Sequence, residues 1–263
     1  MEMNVLWLYP DKMNLHGDRG NMMAIANIAD SLGIKLNITR ANTAAEAGDL
    51  SSTDLIYIGP GQMDHMKRLT DDLKTIGSDI KSYIENGGYF LIIGSSGCML
   101  SKNFTRYDGS VEEGLGILDM TAKELNRTKM PYVTREVYGD DILFKTEDGM
   151  EIVGCQIQCM DFDLKNAQPF GKVLYGYGNN TMDGTEGARY KNVMFTNVVG
   201  PLLSLNPWLG VRILSEIGEK KGYDVSGFNE DSVSYMDYAR ESMKLRKQFI
   251  KEKHKLPGIC AEV

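Results

Sequence analysis

The residues that could do chemistry begin where the apolar run Tyr89–Ile93 meets Gly94, Ser95 and Ser96. A buried strand that bends sharply into a helix is a place from which enzymes present a nucleophile. Gly94 stands at the bend and has no side chain to present. The nearest thiol, Cys98, would share a helix face with position 94 and lie near the helix N-terminus, where a thiol pKa falls. Cys98 is therefore a displaced candidate nucleophile.

Other reactive side chains give weaker signals. Ser95 and Ser96 are closer to the bend, but a serine needs an activating base even more than a cysteine does. The chain has three histidines, His16, His65 and His254. Of these, His65 follows the turn Gly59–Gly61 and could approach the bend, although a solvated helix position is the simpler interpretation.

Metal and nucleotide binding receive little support from the sequence. Cys155 and Cys159 would lie about 13 Å apart on one strand, too far to share a zinc ion. The loop 176–187 is rich in Gly and Asn but lacks the Gly-Lys-Ser/Thr ending of a phosphate-binding loop. We expect no metal and no cofactor.

Hydrophobic periodicity indicates the elements that hold the bend in place. Strands are predicted at 4–8, 34–40, 54–58 and 89–93, and helices at 22–32 and 64–86, with a break at Gly77-Ser78. Strands that alternate with helices in this way favour an α/β fold, a largely parallel sheet with helices on both faces. Ligands of such sheets bind at the carboxyl ends of the strands.

The second half of the chain adds strands of another kind. Short alternating stretches at 132–138, 142–145, 151–159 and 171–176 predict added antiparallel strands, followed by a strand at 192–199 and a helix at 207–221. The charged segment 230–255 has apolar residues at helical spacing, which predicts a helix packed on the body or on a partner. We therefore divide the chain into a domain, 1–222, and a helical extension, 223–263.

Composition excludes several classes of function. The chain of 263 residues carries a formal net charge of -7, which gives no field that would attract nucleic acid. No segment approaches the ~20 apolar residues that span a bilayer, and the N-terminus lacks the basic residues of a signal peptide. Four cysteines in such a chain are expected to remain thiols in the cytoplasm.

Four motifs carry a resemblance to a known family: Tyr9–Asn21, Gly114–Leu118, Tyr175–Asn180 and Asp183–Asn192. In order and spacing they closely resemble the glutaminase subunits of lipid II isoglutaminyl synthases, which are class I glutamine amidotransferases of the cobyric acid synthase type. The resemblance extends from about Asn4 to Gln248. It implies a flavodoxin-like fold, glutamine hydrolysis by a Cys and a His, and transfer of ammonia to a Mur-ligase-like, ATP-dependent partner.

The family's reactive positions differ in this chain. The resemblance puts Gly94 where the family has its nucleophilic Cys and Val199 where it has its His. The oxyanion loop reads Gly59-Pro60-Gly61, and Pro60 has no N–H to donate. A family segment beside the site is replaced by Gln156–Asp161.

These changes affect one pocket, while the surrounding motifs match the family. We therefore predict a pseudo-glutaminase, a subunit that has lost glutamine hydrolysis. We expect it to form a heterodimer with the ligase and to take part in the amidation or ligation of a cell-wall or secondary-metabolite substrate. Residues that could line the vacated pocket are Gln62, Ser95, Ser96, Gln156 and Gln158. Two alternatives stay open: an active glutaminase that uses Cys98, and a module that binds a small ligand in the vacated pocket.

Overall fold

The computed structural model describes residues 1–125 and 138–253. Its strands are β1 (Glu2–Leu8), β2 (Lys35–Ala41), β3 (Leu55–Ile58), β4 (Tyr89–Ile93), β5 (Asn103–Thr105), β6 (Val111–Glu113), β7 (Met120–Glu124), β8 (Tyr138–Thr146), β9 (Glu151–Gln158), β10 (Met160–Leu164), β11 (Gly171–Tyr175), β12 (Thr185–Glu186), β13 (Ala188–Tyr190), β14 (Val193–Thr196) and β15 (Val198–Val199). The helices are α1 (Arg19–Ser31), α2 (Met63–Lys74), α3 (Gly77–Glu85), α4 (Leu202–Leu205), α5 (Pro207–Lys220) and α6 (Met236–Lys253).

A central sheet in the order β13-β14-β4-β3-β1-β2 forms the middle of the described structure. All neighbours in it are parallel except β13, which runs antiparallel to β14. Side chains alternate across it, so that Val5 and Trp7 pack with α1 and α5 on one face, whereas Leu6 and Leu8 pack with α2 and α3 on the other. The predicted α/β fold with helices on both faces is confirmed.

Two smaller sheets are entered from the carboxyl ends of β4 and β14, through β5 and β15 respectively. The side sheet has the order β10-β7-β5-β6, and the antiparallel sheet has the order β12-β11-β8-β9-β15. The predicted strands at 142–145, 151–159 and 171–176 correspond to β8, β9 and β11. Most of the predicted strand at 132–138 falls on residues 126–137, outside the described ranges.

Local predictions differ from the structure at two places. The segment after β4 is not an α-helix but a 3₁₀ segment, Gly94–Leu100. The Oγ atoms of Ser96 and Ser101 donate to the carbonyls of Ile93 and Cys98, three residues back in each case, at 2.7 Å. These side-chain bonds compete with the α-helical backbone pattern. The predicted strand 192–199 is divided by Asn197 into β14 and β15, which belong to different sheets.

The predicted helix break is present but lies two residues before Gly77-Ser78, since α2 ends at Lys74 and α3 begins at Gly77. The C-terminal helix α6 lies against the antiparallel sheet. Ile250 is fully buried with Leu143 and Val153, and Arg246 pairs with Asp141 at 2.6 Å. The boundary between domain and extension at 222/223 stays a prediction. Along the described ranges, no helix has both the length and the low charge needed to cross a bilayer.

Candidate functional site

The bend at the end of β4 keeps the geometry of a nucleophile turn. Gly94 has φ +66°, a left-handed conformation that costs a residue with a side chain about 1–2 kcal/mol. A Cβ added at this position would lie 3.0 Å from Pro60 Cβ and 3.5 Å from Val199 Cγ1. The bend therefore points position 94 at the two positions where the family resemblance places the oxyanion loop and the base.

A cavity of about 40 Å³ lies at this bend. Its walls come from the N-terminal loop, the turn after β3, the bend, the β9–β10 connection and the β14–β15 junction, through Leu15, His16, Pro60, Gly61, Gly94, Ser95, Ile157, Gln158, Cys159, Met160, Phe162, Asn197 and Val199. The segments that differ from the family pattern thus meet around one small cavity.

The turn Gly59–Gly61 presents little hydrogen-bonding capacity to the cavity. Pro60 has no N–H, and its carbonyl accepts from the N–H of Leu15 at 3.0 Å. Ser95 Oγ accepts from the Gly61 N–H at 3.2 Å and donates to the Gly61 carbonyl at 2.7 Å. Of Pro60 and Gly61, only Gly61 has a backbone N–H that could bind an oxyanion, and this N–H already donates to Ser95.

A buried polar network lies directly behind this turn. A Cβ on Gly59 would come 2.0 Å from Asp18 Oδ2, so only glycine fits there. Tyr57 donates its hydroxyl to both carboxylate oxygens of Asp18 at 2.7 and 2.6 Å, and Asn21 Nδ2 donates to Oδ1 at 2.9 Å. Desolvation raises the pKa of Asp18 to about 7, although the hydrogen bonds from Tyr57 and Asn21 lower it. The network holds the N-terminal loop against β3.

The two glutamines that replace family residues have separate roles. Gln158 lines the cavity and donates from Nε2 to the carbonyl of Asn179 at 3.1 Å. Gln156 is buried, and its Oε1 accepts from the N–H groups of Tyr177 and Gly178, both at 3.1 Å. Gln156 thus supports the loop after β11 instead of lining the cavity.

Cys98 is not brought to the cavity. A 3₁₀ segment has 3.0 residues per turn, so position 97, not position 98, lies above position 94. Cys98 is fully buried in the core beside the side sheet, and this burial raises its thiol pKa. The expectation that a helix N-terminus lowers the pKa of this thiol is wrong, because no α-helix begins here.

The remaining predicted residues have structural or surface positions. Ser95 lines the cavity, whereas Ser96 is buried and turned toward the carbonyl of Ile93. Gln62 is exposed at the start of α2, and His65 is half-buried on that helix, away from the cavity walls. His254 and Cys260 lie outside the described residues. Among residues 1–125 and 138–253, no group of three or more His, Cys, Asp or Glu side chains could hold a metal ion.

The cavity residues missed from the sequence include His16 and Asn197. His16 has φ +58° and stands exposed at the cavity mouth, where partial desolvation lowers its pKa. It belongs to the family motif Tyr9–Asn21, and its place in that motif could have indicated that it lies near the site. Asn197 sits at the β14–β15 break and carried no signal, because it was taken for part of a continuous strand.

The fold and this site define a glutamine amidotransferase domain of the α/β type. The chain belongs to the family of CobB/CobQ-like glutamine amidotransferase domains, which it matches over residues 4–206. Two relatives are subunits GatD of lipid II isoglutaminyl synthase (glutamine-hydrolyzing). The subunit from Staphylococcus aureus (strain N315) is 32% identical over 222 residues, which is 84% of this chain and 86% of the relative. The subunit from Streptococcus pneumoniae (strain ATCC BAA-255 / R6) is 30% identical over 225 residues, 85% of this chain and 84% of the relative.

Solved structures agree on the fold. A glutamine amidotransferase crystal structure superposes with a TM-score of 0.54 at 14% identity, covering 81% of this chain and 98% of that one. The structure of PurLQS from Thermotoga maritima gives 0.51 at 12% identity, covering 76% and 87%. At these identities the likeness concerns the fold alone.

Proposed function

We propose that this chain is a glutamine amidotransferase-like subunit that does not hydrolyse glutamine. The observation that carries the proposal is that Gly94 and Val199, which line the cavity at the positions of the family's nucleophile and base, can supply neither. Covalent glutamine hydrolysis needs an activated thiol and donors for the tetrahedral oxyanion. Pro60 has no N–H, and the Gly61 N–H already donates to Ser95 Oγ, so neither of these two residues offers a free oxyanion donor.

The partner we propose is an ATP-dependent, Mur-ligase-like subunit. Support comes from the two curated relatives, each a subunit of a lipid II isoglutaminyl synthase. We infer that the heterodimer amidates or ligates a cell-wall precursor or a related secondary metabolite in the cytoplasm. The chain would stabilise the ligase or shape its acceptor site. Loops 14–21 and 176–192, which keep the family motifs, are the proposed docking segments.

No observation favours the alternative in which Cys98 acts as the nucleophile. Its side chain is fully buried, does not line the cavity and has a raised pKa. A thiol in that environment stays protonated at neutral pH, and the protonated form is a poor nucleophile.

A glutaminase assay tests the proposal. The purified chain is incubated with glutamine, alone and with a Mur-ligase-like subunit from the same organism, and glutamate release is measured. The S. aureus relative, whose name describes glutamine hydrolysis, serves as the positive control. We expect no glutamate from this chain in either condition. Glutamate release that Cys98→Ala abolishes would instead establish the displaced nucleophile.

Co-purification tests the partner. We expect the chain and the Mur-ligase-like subunit to elute together and the ligase to gain activity or stability in the complex. A chain that elutes separately and leaves ligase activity unchanged would contradict the docking proposal, whatever the glutaminase assay shows.

A further inference from the structure

Two lysines of the antiparallel sheet face each other without an acidic partner. Lys145 of β8 pairs directly with Lys172 of β11, so both side chains project from the same face of the sheet, with Cβ atoms about 4.5–5.5 Å apart. Like charges directly opposite each other on two strands are destabilising. Both side chains are exposed, and neither forms an ion pair within residues 1–125 and 138–253. An anion bound between them would offset their repulsion.

The two lysines lie in a cleft of about 400 Å³, well separated in the sequence from the cavity at the β4 bend. This volume falls within the range of about 300–1,000 Å³ that is typical of small-molecule sites. Pro169 and Leu174 add apolar surface to the wall, and Gln168 adds a side-chain amide that makes no hydrogen bond within the described ranges. The cleft therefore combines two cations, one free amide and apolar carbon.

The floor of the cleft is held in place by packing on the other face of the sheet. Phe144 is fully buried there, with its ring 5.7 Å from the ring of Phe170. Gly171 comes so close that an added Cβ would lie 2.4 Å from Phe144 Cδ2, so only glycine fits. The carbonyl of Gln168 accepts from the Arg189 N–H at 2.7 Å. The backbone that carries the lysines is thus positioned without a ligand.

Charge decides which ligands suit the cleft. Among the described residues of its wall, Glu147 in the β8–β9 turn is the one acidic residue. It is exposed and forms no ion pair with Lys145 or Lys172 in the part of the chain that the structure describes. Two ammonium groups against one carboxylate leave a net positive charge. The wall therefore favours an anionic ligand, whose charge Glu147 opposes at the rim.

We propose that this cleft binds a small molecule through a phosphoryl group held between Lys145 and Lys172. A phosphate monoester carries a charge of about −1.5 to −2 at pH 7, which matches two ammonium groups, whereas a single carboxylate matches one. Ammonium groups bind phosphate oxygens through charge-assisted hydrogen bonds. The rest of the molecule contacts Pro169 and Leu174. The inference does not depend on the proposed function, because binding is measured on this chain alone.

Calorimetric titration of the full chain tests the ligand class, with phenyl phosphate, inorganic phosphate and succinate as probes. We expect phenyl phosphate to bind most tightly, because its ring reaches the apolar wall, and to shift the backbone ¹H–¹⁵N resonances of Gly171 and Lys172. Succinate that binds as tightly as phenyl phosphate would overturn the phosphoryl assignment. Inorganic phosphate that binds as tightly would overturn the contact of the ligand with Pro169 and Leu174.

Variants test the residues. Lys145→Gln and Lys172→Gln should each weaken phenyl phosphate binding by about 2–5-fold, the range of an exposed ion pair, and the double variant should weaken it further. Neither should lower the Tm without ligand, because each removes repulsion. Glu147→Gln should tighten binding, since it removes the opposing charge.

Lys81→Gln changes an exposed lysine on α3, away from the cleft, and should leave the affinity unchanged. An affinity of the double variant equal to that of the wild type would overturn the proposal. Weaker binding by Glu147→Gln would also overturn it, because the ligand would then use this carboxylate as a partner.

Discussion

Substituting Gly94 by Cys supplies a thiol at the bend. It tests whether glutamine hydrolysis is absent because of the residues at positions 94, 199 and 60. The first consequence is a loss of stability. A residue with a side chain at φ +66° costs about 1–2 kcal/mol. The 3.0 Å approach of its Cβ to Pro60 Cβ raises the expected total to about 1–3 kcal/mol. Gly94→Ala, which has the same Cβ and no thiol, should lose a similar amount in urea denaturation.

The second consequence concerns activity. Gly94→Cys alone should release no glutamate, because Val199 cannot accept the thiol proton. Adding Val199→His supplies a base and should give a detectable rate. Adding Pro60→Gly then supplies an N–H in the oxyanion loop, and one such donor is worth about 10²–10³ in rate. The rate of glutamate release should therefore rise at each of the last two steps.

The reasoning would be refuted by a single Gly94→Cys variant that hydrolyses glutamine as fast as the triple variant. That result would mean that another group activates the thiol and that Pro60 does not limit oxyanion stabilisation. A Gly94→Ala variant as stable as the wild type would refute the stability argument independently of any activity.

Three further predictions concern stability. Asp18 has a raised pKa of about 7 in the folded chain, so its contribution to the free energy of unfolding should fall as pH rises from about 4 to 7, by at most ~1.4 kcal/mol per pH unit. Asp18→Asn should lack this slope, and parallel pH profiles of the two proteins would contradict the assignment. The Asn206 side chain accepts from the Val153 N–H at 2.9 Å and donates to the Val153 carbonyl at 2.7 Å. Asn206→Ala leaves both backbone groups of Val153 without this partner and should lower the free energy of unfolding, measured by chemical denaturation, by about 2–4 kcal/mol. Ile250→Ala should cost about 2–5 kcal/mol because Ile250 of α6 is fully buried against Leu143 and Val153. Leu245→Ala, at an exposed position on the same helix, should change the denaturation midpoint little.

The sequence predicted the layers of this fold well because each strand and helix of the first 93 residues carries its own apolar period. The break between α2 and α3 was also predicted, to within two residues, from Gly77. The 3₁₀ form of the segment after β4 was not predicted. It depends on the hydrogen bonds from Ser96 and Ser101 to backbone carbonyls, and the pattern of apolar residues does not indicate such bonds. This difference decided the position of Cys98.

The candidate site was predicted through its family motifs and not through its cavity. Gly94, Pro60 and Val199 could be assigned because segments around them match a known pattern. Asn197 could not, because it lies where the chain changes sheet between β14 and β15 and its Nδ2 donates to Asn179 and Glu186. Such bonds join residues that the chain brings together only after folding.

The position of β14 in the central sheet has a consequence for how the chain folds. Phe90 of β4 pairs with Val193 of β14, so one edge of β4 stays open until about 100 further residues have been synthesised. Contacts of such sequence separation slow folding, and an open apolar strand edge invites pairing with another chain. We expect nascent chains that end before Val193 to depend on chaperones, and β4 to be the segment through which they aggregate.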